Sequence, residues 1–83
     1  MNKILVFVYI PLLEKEYNLY IPINKKVGTI KKTILNSIVE LSDGNINNVG
    51  NLKLYDKDSS ILLDNNSMIK ETIVRNGSKL ILM

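Results

Sequence analysis

The sequence predicts a small α+β domain in which one helix lies across one face of a mixed sheet of four to five strands. Three observations lead to this prediction. The most apolar segments lie near the two ends of the chain, at 4–10 and 79–83, as expected of neighbouring central strands. Between 17 and 23 apolar residues alternate with others, which is the period of a strand. Between 27 and 41 the apolar spacing changes to three and four residues, which is typical of an amphipathic helix.

Length and composition limit what this chain can do. Its 83 residues predict one domain over 1–83, and 46% hydrophobic and 23% charged residues are ordinary for a globular protein. The formal charge of +3 is too small to indicate nucleic-acid binding. Cysteine and histidine are both absent, which excludes thiolate chemistry and removes the commonest general base and metal ligand. We therefore expect no cofactor and no bound metal.

The first two predicted strands form a hairpin. Ile4–Ile10 is β-branched, aromatic and apolar on both faces, which predicts a central strand that ends at Pro11. After a turn over 12–16, the second strand runs from 17 to 23, and Pro22 favours a place at the sheet edge. The apolar N-terminal stretch is much shorter than the roughly 20 residues of a membrane span, and it lacks a cleavage site. We expect a buried strand and no membrane insertion.

One helix follows the hairpin. Its apolar stripe consists of Val27, Ile30, Ile34, Ile38 and Leu41. Gly28 or Thr29 can serve as N-cap, and Gly44 suits the left-handed position after a helix. The spacing therefore predicts a helix over 29–41.

Shorter elements complete the chain. The polar segment 44–51 predicts a loop, 52–55 a strand, 56–59 a turn and 61–63 a short returning strand. Ser67 is placed to cap a brief helical turn before Met68 and Ile69. Asn76-Gly77 predicts a tight turn that leads into the final strand. The order strand, strand, helix and returning strands is the β-grasp arrangement.

Two parts of the C-terminal half resemble ubiquitin-like domains. Leu52–Tyr55 followed by Ile61–Asp64 resembles the stretch of ubiquitin in which two short strands precede a loop. Val74–Leu82 resembles the closing I-x-x-G-x-x-L-x-L segment of many such domains. The resemblance implies the ubiquitin-like β-grasp fold over nearly the whole chain.

Within that superfamily the chain is most similar to the YukD-type proteins of Gram-positive type VII secretion systems. The segments that carry the similarity are Tyr17–Pro22 and Asn76–Leu80. The resemblance implies a small cytoplasmic accessory factor that binds other proteins, including secretion-system components, without conjugation.

Two alternatives stay open at this point. The chain could be a ubiquitin-like modifier or sulfur carrier whose Gly-Gly tail is missing, or the ubiquitin-like domain of a larger adaptor. Conjugation needs a flexible tail ending in Gly-Gly, whereas Met83 falls at the end of a predicted strand. We therefore favour a non-covalent binding module.

The predicted binding surface is the face of the sheet that the helix does not cover. If Val6, Val8, Leu80 and Leu82 face the helix, their neighbours along each strand face the other way. A contiguous apolar patch there indicates a protein partner or a second copy of the chain. Lys53 falls where ubiquitin has its central exposed isoleucine, so we do not expect ubiquitin's own partners. The predicted surface residues are Leu5, Phe7, Tyr20, Lys53, Ile81 and Met83.

Two further motifs favour structural interpretations. Asp56-x-Asp58-x-Ser60 resembles the start of a calcium loop, but the sixth position is Ile61 and the twelfth is Ser67, so it predicts a hairpin turn. The lysines near the helix start oppose the helix dipole, which would suit an acidic partner, but a solvated face is the simpler interpretation. These lysines are Lys25, Lys26, Lys31 and Lys32.

Catalysis is not expected of this chain. Its acidic residues are scattered over turns and the end of the helix, without an evident pair that could act as general acid and base. The sequence also contains no Gly-rich phosphate loop. We therefore do not expect an enzyme.

Overall fold

In the computed structural model, which describes residues 3–41 and 52–83, the helix packs on one face of a four-stranded mixed sheet. The predicted α+β architecture, a ubiquitin-like β-grasp, is confirmed. The elements are β1 (Lys3–Ile10), β2 (Lys15–Pro22), α1 (Val27–Leu41), β3 (Leu54–Asp56), a short 3₁₀ helix (Ile69–Glu71) and β4 (Ser78–Leu82).

The two most apolar strands lie side by side in the centre of the sheet. The strand order is β2-β1-β4-β3, and β1 pairs with β4 in parallel from Val6↔Ser78 to Tyr9↔Ile81. The outer strands are both antiparallel to their neighbours, β2 to β1 and β3 to β4. The central strands and the edge position of β2 thus match the sequence prediction.

One face of this sheet forms the core with the helix. Val6 and Val8 of β1 and Leu80 and Leu82 of β4 are fully buried. Because side chains alternate along a strand, every second residue faces this side of the sheet. These residues pack against Val27, Ile30 and Ile34 of the predicted helix stripe. Leu35, which the predicted stripe omitted, is also buried. The side chains of Ile38 and Leu41, together with Gly44 and the predicted loop 44–51, lie outside the described residues.

The helix starts two residues earlier than predicted, and neither Gly28 nor Thr29 is its N-cap. Its first N–H groups are satisfied instead by a distant loop: Val27 donates to the carbonyl of Ser67 (2.8 Å) and Gly28 donates to that of Asn65 (3.0 Å). These bonds replace an N-cap because any acceptor can satisfy the free amides of a first turn. The prediction that Gly28 or Thr29 acts as N-cap was therefore wrong.

The predicted third strand is shifted, and the predicted fourth shrinks to one bridge. β3 covers Leu54–Asp56 rather than 52–55, although Lys53 still exchanges two backbone hydrogen bonds with Met83 (2.8 and 2.9 Å). Leu62 contributes only an isolated bridge to Tyr55. The described sheet accordingly has four strands.

The acidic motif that follows β3 is a turn, as predicted. The Asp56 side chain is 7% exposed, and its Oδ2 accepts from the backbone N–H (3.0 Å) and the hydroxyl (2.7 Å) of Ser59. Ser60 follows in the left-handed region (φ 60°), and its N–H donates to the carbonyl of Asp56. The buried carboxylate is thus committed to holding the turn.

The 3₁₀ helix is capped by a residue other than the one predicted. The N–H of Met68 donates to Oε1 of Glu71 (2.9 Å), while the carbonyl of Ser67 accepts from Val27 at the start of α1. Glu71 reaches back to the residue before the first turn, as the acidic member of a capping box does. The expectation that Ser67 caps this turn was wrong.

The turn before β4 is tied to the start of β1. The N–H of Gly77 donates to the carbonyl of Leu5 (2.7 Å), and the N–H of Leu5 donates to Oδ1 of Asn76 (2.8 Å). Gly77 has φ +89°, a left-handed backbone conformation that residues with a Cβ rarely adopt. These two residues therefore align β4 with β1.

Replacing this glycine should destabilise the domain through the backbone alone. A Cβ at position 77 would contact nothing within 4 Å, so Gly77→Ala adds conformational strain without a steric clash. We expect a loss of about 1–2 kcal/mol in the free energy of unfolding, and a smaller loss for Gly77→Asn. Urea unfolding measures both, as a lower midpoint with an unchanged slope. An alanine variant as stable as the parent would contradict the left-handed turn.

Candidate functional site

The face of the sheet that points away from α1 is the candidate site, and we call it the open face. No element among the described residues packs over it as the helix packs over the other face. Its members alternate with the buried residues along each strand. They are Lys3, Leu5, Phe7 and Tyr9 of β1, Glu16, Asn18, Tyr20 and Pro22 of β2, Tyr55 of β3, Lys79 and Ile81 of β4, then Lys53, Lys57 and Met83, which continue the alternation of β3 and β4, and Leu62, which is paired with Tyr55.

An unbroken row of apolar and aromatic side chains crosses three strands of this face. Tyr9 of β1 is paired with Ile81 of β4, and Ile81 is paired in turn with Tyr55 of β3. Side chains directly opposite one another on a sheet are about 4.5–5.5 Å apart at Cβ and pack together. We call Tyr9, Ile81 and Tyr55 the central row.

A second group of apolar side chains lies towards β2. Leu5 is paired with Tyr20, and Phe7 stands between Asn18 on β2 and Lys79 on β4. Tyr20 is 70% exposed, whereas Leu5 and Phe7 are half-buried. At the other end Met83 is 54% exposed beside the central row. The open face thus presents a broad apolar surface with its most exposed groups at opposite corners.

The six residues predicted from the sequence all lie on this face, but they form two groups. Leu5, Phe7 and Tyr20 are on the β2 side, while the other three are on the β3–β4 side. Tyr9 and Tyr55, which were not among the predicted residues, join the two groups. The signal was available, because Tyr9 is two residues from Phe7 and Tyr55 two residues from Lys53.

The charges on the open face are mostly positive. Among the described residues it carries Lys3, Lys53, Lys57 and Lys79 against a single acid, Glu16. Lys79 lies beside Phe7 on the central strand β4, and Lys53 lies beside Met83, so no lysine divides the central row. A partner with acidic groups around an apolar centre would complement this surface.

The lysines near the helix start lie elsewhere. Lys25 and Lys26 precede α1 and are exposed, and Lys26 forms an isolated bridge with Met68. Lys31 is half-buried and Lys32 exposed on the first turns of the helix. They belong to the helix side of the domain and do not extend the open face.

Two further properties of the described segments bear on function. Residues 3–41 and 52–83 contain no group of three acidic, histidine or cysteine side chains arranged to hold a metal ion. In the same ranges, no helix combines the length and the apolar character that crossing a membrane requires.

Solved structures with the same fold include chains from several kinds of protein. One, from work on molecular mimicry of SUMO in DNA repair, is 13% identical with a TM-score of 0.77, and the match covers all of this chain and 92% of the other. The ubiquitin-like domain of an Arabidopsis thaliana protein is 24% identical with a TM-score of 0.73, covering all of this chain and 78% of that one. At these identities the likeness shows a ubiquitin-like fold.

A third similar structure belongs to a secretion complex. A chain of the MycP5-free ESX-5 inner membrane complex is 18% identical with a TM-score of 0.75. The match covers all of this chain but only 21% of the ESX-5 chain, so this chain spans about a fifth of that protein's length. No family model and no curated protein matches the sequence.

The central row should be energetically coupled. Cross-strand aromatic and β-branched neighbours stabilise a sheet by roughly 0.2–1 kcal/mol per pair. We expect Tyr9→Ala and Ile81→Ala to show a coupling energy of about 0.5–1 kcal/mol in a double-mutant cycle followed by urea unfolding. Tyr20→Ala and Ile81→Ala, which lie two strands apart, should be additive within about 0.5 kcal/mol. Equal coupling in both cycles would contradict this register.

Proposed function

We propose that this protein is a non-covalent binding module that recognises a protein partner through the open face. Ubiquitin-like domains occur as parts of assemblies, and this fold provides a rigid sheet on which side chains are fixed at known spacings. We further propose that it serves as a cytoplasmic accessory factor of a type VII secretion system in a Gram-positive bacterium.

The observation that carries the proposal is the central row and its surroundings. Tyr, Phe and Met are enriched in protein interfaces, whereas lysine is depleted from their centres and tolerated at the rim. The central row has this composition, since Tyr9, Ile81 and Tyr55 include no lysine, and Lys3 and Lys53 lie at opposite ends of the face. Half-buried aromatic side chains lose little conformational freedom when a partner covers them, which favours binding.

Two separate considerations support the secretion role. The segments Tyr17–Pro22 and Asn76–Leu80 resemble the YukD-type proteins of type VII systems. A domain of the same fold is part of a larger chain in the ESX-5 inner membrane complex. Both similarities are consistent with a ubiquitin-like module that works with a type VII secretion system.

We infer that the protein acts by binding rather than by catalysis. The sequence has neither histidine nor cysteine, so acid–base or nucleophilic chemistry would fall to carboxylates, lysines and hydroxyls. The one buried carboxylate of the described residues, Asp56, is engaged by Ser59 in a turn. These facts support a module whose partners supply any chemistry.

A pull-down from the native host tests the proposal. Tagged parent protein should capture secretion-system components, such as the secretion ATPase or membrane subunits, under conditions that preserve complexes. The Phe7→Glu/Ile81→Glu variant should lose this capture by at least about tenfold, because each substitution places an unpaired charge in the buried part of the interface. Circular dichroism and urea unfolding must first show that the variant is folded.

The matched control changes two apolar residues elsewhere on the surface. Ile61 (49% exposed) alternates with Leu62, the partner of Tyr55, and so points away from the open face; Ile73 (45% exposed) lies between the 3₁₀ helix and β4. Ile61→Glu/Ile73→Glu therefore adds the same charge outside the strands of the open face. Capture that survives the open-face variant, or fails equally in the control, would argue against this surface. Tagged protein found in covalent conjugates that survive boiling in SDS would instead support the modifier alternative.

A further inference from the structure

The turn before β4 contains a chemically reactive pair of residues. Asn76 is the one asparagine of the sequence that a glycine follows. In such a pair the backbone nitrogen of the glycine can attack the side-chain amide carbon of the asparagine, because glycine has no Cβ to hinder the approach. Asn76 and Gly77 are both exposed, so water and hydroxide can reach them. The pair is therefore a candidate site for spontaneous deamidation.

Deamidation at this pair would proceed through a cyclic imide. The backbone N–H of Gly77 gives its proton to hydroxide, and its nitrogen forms a bond to Cγ of Asn76. The bond from Cγ to the side-chain nitrogen then breaks, and that nitrogen takes up a proton from water and leaves as ammonia. A second water opens the ring at Cγ, which gives aspartate, or at the backbone carbonyl carbon, which gives isoaspartate. The reaction thus consumes water and releases ammonia.

In the folded domain, hydrogen bonds to Leu5 hold both reacting groups. The N–H of Gly77 donates to the carbonyl of Leu5 (2.7 Å), and the N–H of Leu5 donates to Oδ1 of Asn76 (2.8 Å). The second bond polarises the side-chain amide and favours attack on its carbon. The first bond has the larger effect, because a nitrogen that keeps its proton is not a nucleophile, and Cγ is then left without an attacking group. The fold therefore protects the site while Leu5 stays in place.

The geometry of the turn adds to this protection. The N–H of Ser78 donates to the carbonyl of Arg75 (2.9 Å), and the N–H of Arg75 donates to the hydroxyl of Ser78 (2.8 Å). Gly77, at φ +89°, occupies the third position of this turn, as in type II. Ring closure places the glycine nitrogen in line with Cβ of Asn76, whereas a type II turn holds ψ of that residue at about +120°. The turn must therefore open before the imide forms.

The start of β1 is the place where this protection can open locally. Leu5 lies just before the parallel ladder of β1 with β4, which begins at Val6↔Ser78. At the same end Lys3 is opposite Pro22, which has no N–H to donate. Strand ends open more often than the middle of a sheet. Release of Leu5 would therefore free the turn while the core stays folded.

From these observations we propose that Asn76 is a deamidation site whose rate is controlled by the contact of the turn with Leu5, and that isoaspartate is the disruptive product. Aspartate keeps a side-chain oxygen that can accept from Leu5. Isoaspartate instead carries the chain through Cβ and Cγ, which adds a methylene group to the backbone of the turn and removes the acceptor. The alignment of β4 with β1 would then be lost. The turn lies outside the open face, so this inference does not depend on the proposed function.

Ageing the protein in mildly alkaline buffer and mapping its peptides by mass spectrometry tests this inference. The rate at Asn76 is measured in native buffer and in urea that unfolds the chain, and the native rate should be at least about tenfold lower. Asn18 and Asn66, which Leu19 and Ser67 follow, serve as internal controls and should react more slowly than Asn76 in urea. Equal rates at Asn76 in the two buffers would overturn protection by the fold, and an unreactive Asn76 in urea would overturn the site itself.

Two variants distinguish local opening from global unfolding. Ser78→Ala removes the hydroxyl that accepts from Arg75 and leaves the reactive pair intact. It should raise the native rate by about threefold to tenfold and leave the rate in urea within about twofold of the parent. Ile34→Val shrinks a buried side chain on α1 and destabilises the whole domain, yet it should leave the native rate within about twofold. Native rates that rise in both variants in proportion to their unfolding constants would overturn control by Leu5.

The two products test the structural part of the inference. Chromatography separates the isoaspartate form from aged protein, and Asn76→Asp provides the other product directly. The isoaspartate form should have a lower urea midpoint than Asn76→Asp, and its NMR spectrum should show faster amide exchange at Leu5 and Gly77. An isoaspartate form with the same midpoint and the same exchange as Asn76→Asp would show that the alignment of β4 does not depend on this turn.

Discussion

The parallel pairing of β1 with β4 is the interaction on which the rest of this structure depends. It joins the two most apolar segments of the chain, which are separated by most of the sequence, and places them in the middle of the sheet. Parallel neighbours cannot be joined by a tight turn, so the intervening chain must cross over. Here it crosses through α1, which covers one face of the pair, and no helix of the described segments covers the other. The core and the open face are two consequences of this one pairing.

The register of that pair decides which residues are available to a partner. A shift by one residue would exchange the two faces, burying Phe7 and Ile81 and exposing Val8 and Leu80. The Asn76–Gly77 turn fixes the alignment because it bonds both the N–H and the C=O of Leu5. The binding function that we propose for the open face therefore depends on a turn that is itself remote from the central row.

Much of this fold could be predicted because its signals are local. Alternation, the change of period at Val27 and the prolines that end or border strands all follow from a few consecutive residues. The start of α1 could not be predicted, since its first amides are satisfied by carbonyls of Asn65 and Ser67, far along the chain. The cap of the 3₁₀ helix was predicted wrongly because Ser67 has a typical N-cap side chain, whereas the Glu71 side chain accepts the hydrogen bond from Met68.

The candidate site was predicted in outline and incompletely. Period-two alternation placed Leu5, Phe7 and Ile81 on one face, but the neighbours that connect them depend on pairing across strands. Tyr55 joins the central row only through its partner Ile81 on β4.

Site-specific photo-crosslinking in the native host tests the central claim most directly. A photoreactive amino acid would be placed at Tyr20 and Met83, the exposed corners of the open face, and at Ile61, which lies outside it. We expect both corners to crosslink to the same partner protein and Ile61 not to. A partner captured at Ile61 while neither corner captures it would show that binding occurs elsewhere on the domain and not at the open face.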